Sequence, residues 1–228
     1  MRSALVQRPP AVQHVRHLLP RPQHQRLHRC VRAAAAQDAV AGALALLLAA
    51  QPGVPDLYAA NEQTAEAVNA LVSQPQPDAA AAAALGDGRW EVFFGPHFRR
   101  VEALARFRPV RYVISDGGRR MRSDVHYEMF GLEGWLSTEG SVKANSDGSV
   151  NLLFETFWVD GDSEEPRADN PLTSGAPVPA SAALVNAVGK LGFLPSLSRF
   201  PVLFMDAKAG VCVFSFPPLD TVIAAKRV

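Results

Sequence analysis

The sequence predicts a mainly β protein: an antiparallel barrel preceded by two short helices, with one further helix inserted before the last three strands. Three observations predict it. From Gly88 onward, aromatic and β-branched residues concentrate. Turn signals recur about every ten residues along the same stretch, the spacing of an all-β sandwich or barrel. Between the turns, strand-length segments alternate apolar and polar, so each has one dominantly apolar face. The clearest turns are Ser115-Asp116-Gly117-Gly118, Ser146-Asp147-Gly148 and Lys208-Ala209-Gly210, all suited to φ > 0.

Ahead of the barrel the composition divides. Residues 1–37 hold seven Arg and four His but no Asp, Glu or Lys. The remaining chain holds 16 Lys and Arg against 22 Asp and Glu. An Arg-rich, acid-free leader before an acidic body is the composition of an organelle transit peptide, expected here to be disordered. A nucleic-acid arm would carry Lys and precede a basic domain, so nucleic acid is not an expected partner. The run "AVAGALALLLAA" (39–50) is the only long apolar stretch. It is shorter than the roughly 20 residues a bilayer span needs, and reads as a buried or groove-packing helix over 38–51 ended by Pro52-Gly53, with a thylakoid-lumen targeting segment as the alternative.

A second helix is predicted over 58–73, where Ala60, Thr64, Ala67, Val68, Leu71 and Val72 fall on one stripe. Gln74-Pro75-Gln76-Pro77 ends it. Residues 38–84 thus form a helical lead and 85–228 the barrel domain. Strands are expected at 89–95, 109–115, 121–130, 134–144, 149–159, 201–206, 211–216 and 221–227. The polar, proline-rich segment 160–179 reads as a loop, and 180–195 as the inserted helix, with Ala183, Leu184, Ala187, Val188 and Leu191 at helical spacing. Alternation puts Trp90, Val92 and Phe94 on one face, Val125, Tyr127 and Met129 on another, and Val150, Leu152, Phe154, Thr156 and Trp158 on a third.

Gly88-Arg89-Trp90 followed by "EVFF" resembles the Gly-x-Trp first strand of lipocalin-like barrels. More specifically, it resembles the opening of the plastid lipid-associated protein, or fibrillin, family. "FGLEGWLSTEGSVKANSDGSVNLLFETFWVD" (130–160) is similar to that family's central strands, and "FPVLFMDAKAGVCVFSF" with the late "AAKR" to its terminal ones. The chain departs from the pattern at Phe204-Met205-Asp206, where the family usually has Tyr-Leu-Asp, and at Pro217-Pro218. The resemblance implies a non-catalytic chloroplast protein, peripheral on thylakoids or plastoglobules. It would bind prenylquinones, carotenoids, fatty acids or related lipids. A protein scaffold of the same fold, gripping a plastid lipid-metabolism enzyme through the helical lead, is the alternative.

A barrel of about eight strands has room for one small ligand, and such pockets are mostly apolar with a few orienting polar groups. Trp90, Val92, Phe94, Tyr127, Leu152, Phe154, Trp158, Phe214 and Phe216 are the expected lining. Trp90 would floor the barrel, with Arg227 or Lys226 stacked on its ring. Arg119, Arg120 and Arg122 form a basic hairpin end able to meet anionic headgroups. No metal or cofactor is expected. Asp124, His126 and Glu128 share a face but read as a solvated outer surface, and Asp160-Gly161-Asp162 has Glu165 where a calcium loop needs Gly. Cys212, with Cys30 in the leader, reads as a small buried hydrophobe. Phosphate-loop, dinucleotide, Gly-x-Ser-x-Gly and His-Glu-x-x-His motifs do not occur. A barrel enzyme would need ionisable groups on the Trp90–Phe154 face, and the alternation puts few there.

Overall fold

A computed structural model describes residues 37–49, 57, 62–75, 77, 86–161, 163–175, 178, 180–192 and 198–228. The leader expected at 1–37 therefore lies, apart from Gln37, outside the described residues, as do 193–195 of the inserted helix. Helix α1 spans 37–49 and α2 Glu62–Val72. Eight strands follow. They are β1 (Gly88–Phe94), β2 (Arg106–Ser115), β3 (Arg120–Met129), β4 (Leu132–Ala144), β5 (Ser149–Gly161), β6 (Arg199–Asp206), β7 (Val211–Phe216) and β8 (Thr221–Arg227). Helix α3 (Ala180–Gly192) lies between β5 and β6. The strands make a closed antiparallel barrel in sequence order, and β1 pairs with β8. Residues 38–228 form one compact unit.

The inner face of the barrel collects Trp90, Val92, Val110, Ile114, Met121, Val150, Leu152, Phe200, Val202, Cys212, Ile223 and Ala225. A separate core lies outside the wall. There Ala43 and Leu47 of α1 and Ala67, Val68 and Leu71 of α2 cover Phe93, Val211, Val213 and Ala224. The apolar stripe of the helical lead is thus consumed against the barrel.

Bulges on β1 and β5 change which of the expected lining residues face inward. On β1 the register shifts between Val92 and Phe94. Phe94 then joins Phe93 under the helices, so it does not line the interior as the alternation predicts. On β5, Thr156 pairs with Glu139 and Phe154 with Gly140, leaving Glu155 as an extra residue. A bulge opposes two residues to one and reverses the faces beyond it. Phe154, Leu152 and Val150 point inward, while Thr156 and Trp158 point outward. Trp158 is fully buried on the outside, not in the pocket.

The chain after β5, residues 163–170, returns over the outer face of β3, β4 and β5. Trp135 Nε1 donates to the Ser163 carbonyl (3.0 Å), and Arg122 Nη1 to the carbonyls of Arg167 and Ala168 (3.2 and 2.7 Å). Asn170 Nδ2 donates to Glu139 Oε2 and Thr156 Oγ1, both at 2.9 Å. This strap buries Asp124, which is 1% exposed and so not on a solvated face. Its carboxylate accepts from Ser137 Oγ (2.8 Å) and Arg122 Nε (2.9 Å). Burial outweighs those partners and holds the Asp124 carboxyl above its ordinary range.

The ring has one thin seam. Strands β5 and β6 pair only at Ser149–Pro201, Val150–Phe200 and Asn151–Arg199. Beyond it α3 lies along the free edge of β5, where Asn186 Oδ1 accepts the Phe157 backbone N–H at 3.1 Å. Gly189 makes the approach possible, because a Cβ there would stand 2.3 Å from Phe157 Cγ.

Candidate binding site in the barrel interior

The two ends of the barrel differ. One end carries the tight turns β2–β3, β4–β5 and β6–β7, with Asp116, Gly117, Gly118, Gly148 and Gly210 at positive φ. Trp90 closes it, 1% exposed. The Arg227 guanidinium lies 4.9 Å from the Trp90 ring centroid, a cation–π contact worth about 0.5–1 kcal/mol at an exposed site. The other end carries the longer β1–β2 and β5–β6 connections and the β3–β4 and β7–β8 turns. Aromatic groups gather there. His97 packs on Phe98 (4.3 Å) and Phe216 (5.0 Å), and Phe216 stacks on Phe200 (5.9 Å). Burial first, and Arg100 second, lower the His97 pKa to about 4, so the ring is neutral.

Between the floor and this mouth some inward-facing apolar groups keep accessible surface. Tyr112, Val125, Phe154 and Phe214 belong to the inner cluster yet are only partly buried. Leu136 pairs with Val125 and Val159 on the same face and is also partly exposed. Of the expected lining, Trp90, Val92, Leu152, Phe154, Phe214 and Phe216 sit in this cluster. Tyr127 faces inward near the mouth, its hydroxyl beside Gly134, and Arg227 sits beneath the floor. Phe94 and Trp158 are elsewhere, as described above.

The sequence reading missed Tyr112, Ser123 and Thr138. They follow one another across β2, β3 and β4, because Trp90 pairs with Tyr112, Tyr112 with Ser123, and Ser123 with Thr138. Extending the Val125–Tyr127 alternation back by two positions would have placed Ser123 inside. Among the described residues, the inward-facing strand positions include no Asp, Glu, His or Lys.

The basic hairpin lies at the floor end. Arg119 pairs with Asp116 (2.7 Å), Arg120 with Glu139 and Glu155 (both 2.9 Å), and Arg122 with Asp124 (2.9 Å). The opposite end carries exposed apolar groups. Phe130, at the β3–β4 turn, is 79% exposed with φ 52°, and Leu132 and Leu104 are 64% and 63% exposed. Among the described residues, no group of three or more His, Cys, Asp or Glu is arranged to hold a metal ion. No helix there is long and apolar enough to cross a membrane. Cys212 is free and buried, its thiol pushed up to about 12 by burial.

No protein-family model, curated protein or solved structure matches the chain.

Proposed function

We propose that this barrel is a non-catalytic carrier of an apolar small molecule or lipid, held between the Trp90 floor and the aromatic mouth. The observation that carries the reading is the set of inward-facing side chains, Tyr112, Val125, Leu136, Phe154 and Phe214, that remain partly exposed inside a closed barrel. Largely apolar concave sites with few polar groups are the usual form of small-molecule pockets. The exposed Phe130, Leu132 and Leu104 support a peripheral position, mouth toward a lipid surface. The composition of the leader and the fibrillin resemblance support a chloroplast setting, at thylakoids or plastoglobules.

The test is native mass spectrometry of the full chain after incubation with a plastid lipid extract. A bound mass is expected. It should be lost in Phe154→Arg, which puts a charge inside, and kept in Leu153→Arg, whose neighbouring side chain faces out and is 47% exposed. A folded wild-type protein that stays ligand-free across the extract would refute the carrier reading.

A further inference from the structure

The outer wall of the barrel carries a cleft of its own. Between the strap and strands β1 to β4 lies a hollow of about 470 Å³. A smaller hollow of about 260 Å³ adjoins it, lined by Arg89, Trp90, Glu91, Arg111, Glu165 and Val228. Arg89 and Glu165 belong to both. Strand pairing explains why arginines gather there. Arg89 on β1 and Arg122 on β3 flank Val113 on β2, and Arg111 stands two residues along from Val113. Alternation puts all four on the outer face. Diagonal neighbours of this kind lie about 7–8 Å apart, so Arg89 and Arg111 can reach one small anion.

The cleft is polarised. Toward β4 and β5, Arg120 meets two carboxylates, Glu139 and Glu155, and Arg122 meets Asp124. Toward β1 and β2, Arg111 pairs with Glu165 of the strap at 2.5 Å. Arg89 pairs with no carboxylate among the described residues. Glu91 lies between Arg111 and Lys226 in register. Glu165 is easily displaced. Its side chain is 65% exposed, and an exposed pair contributes only about 0–1 kcal/mol. Its departure leaves the strap in place, because Arg122 still donates to the Arg167 and Ala168 carbonyls. It also leaves Arg111 in place, the guanidinium 5.0 Å from the centroid of the Trp135 ring.

We propose that the β1–β2 end of this cleft binds a phosphomonoester group clamped between Arg89 and Arg111, and that Glu165 holds the place until the phosphate arrives. A carboxylate such as Glu165 satisfies one of these arginines. A phosphomonoester carries about −1.5 to −2 charge at neutral pH and three acceptor oxygens, enough for both. The planar guanidinium fork matches phosphate geometry. The larger hollow beside the clamp has room for an organic body, against Val113, Pro166 and Ala168. The site lies on the outer wall, so it stands or falls independently of a ligand in the interior.

The test is isothermal titration calorimetry of the full chain with phenyl phosphate, slightly above neutral pH, with phenylacetate as the carboxylate control. Phenyl phosphate should bind saturably and more tightly than phenylacetate. Arg89→Gln should weaken it by at least about 10-fold, the range of a hydrogen bond to a charged group. The Arg89 side chain makes no hydrogen bond or ion pair among the described residues, so this variant should keep the wild-type Tm. Arg99→Gln, at an exposed position near the mouth, removes the same charge and should bind as wild type does. Glu165→Gln should tighten binding by about 2- to 5-fold, the share of the exposed pair. Flotation with phosphatidylcholine vesicles containing phosphatidic acid separates the sources of the phosphate. Vesicle capture that needs Arg89, without binding of phenyl phosphate, places the phosphate on a lipid headgroup. Binding of phenyl phosphate places it on a soluble molecule. The site is overturned if the folded wild type binds neither, if phenylacetate binds as tightly, or if Arg89→Gln binds as wild type does. A Glu165→Gln protein that binds no more tightly overturns the place-holding role.

Discussion

Replacing Gly189 with Ala tests the packing of α3 on the barrel, and two opposing effects fix its sign. Glycine inside a helix is about 1 kcal/mol less favourable than alanine, so on propensity alone the substitution stabilises. The new Cβ, however, would stand 2.3 Å from Phe157 Cγ and 2.7 Å from its Cβ and Cδ1. Those atoms lie at the root of a buried ring, 8% exposed, and cannot swing aside as a chain end could. Relief requires α3 to move off β5, which strains the Asn186–Phe157 hydrogen bond. Overpacking of this kind costs about 1–3 kcal/mol, and such a severe overlap belongs at the upper end. The net expectation is a loss of about 1–2 kcal/mol, or a Tm lower by about 2–8 °C for a chain of this size. Urea denaturation of four proteins measures it: wild type, Gly189→Ala, Phe157→Leu and the double variant. In the Phe157→Leu background the alanine should be neutral or stabilising, so the cycle should show a coupling above about 0.5 kcal/mol. If Gly189→Ala stabilises the wild type, the helix does not approach β5 through this glycine.

Two further outcomes concern buried charge. Arg122→Met leaves the Asp124 carboxylate buried with Ser137 as its neighbour, and should cost about 3 kcal/mol in urea denaturation. Adding Asp124→Asn should recover part of that loss, and a single variant within about 0.5 kcal/mol of wild type would show that the pair does not hold the strap. His97 is neutral in the fold with a pKa near 4, against 6.5 when unfolded. The unfolded chain therefore takes up the proton first, and stability falls as pH drops from 6.5 toward 4, by up to about 3 kcal/mol. Asp124, with its carboxyl raised by burial, works in the opposite sense. The measurement is the difference between wild type and His97→Phe at each pH. A difference that does not change across this window would refute the assignment.

The eight strands, the three helices and the antiparallel order are all legible in the sequence, because alternation and turn residues are local signals. The facing of the strands is legible only as far as the first bulge. At β5 the alternation of Val150, Leu152 and Phe154 runs on to Trp158 without a break in composition, yet the extra Glu155 turns Trp158 outward. One signal was available on the facing strand. Gly140 sits where a Cβ would lie 1.9 Å from the Leu153 carbonyl, and glycine within a strand often marks such a close approach. The burial of Asp124 had no local signal. It depends on a strap arriving from residues 163–170, and the sequence around Asp124 is that of any outer face. The hydroxyl row was hidden for a related reason, since Tyr112, Ser123 and Thr138 become neighbours only through strand pairing.

The pairing of β1 with β8 has a kinetic meaning. The hairpins from β2 to β5 bring together residues close in sequence and lose little chain entropy in forming. Joining Trp90 to Arg227 encloses the whole barrel sequence, so ring closure belongs late in folding. Until it happens, Gly88–Phe94 and Thr221–Arg227 are open edges able to recruit another copy. Contacts made after the transition state govern escape from the native state more than entry to it. Weakening the β1–β8 junction would therefore shorten the lifetime of the closed barrel while hardly slowing its assembly.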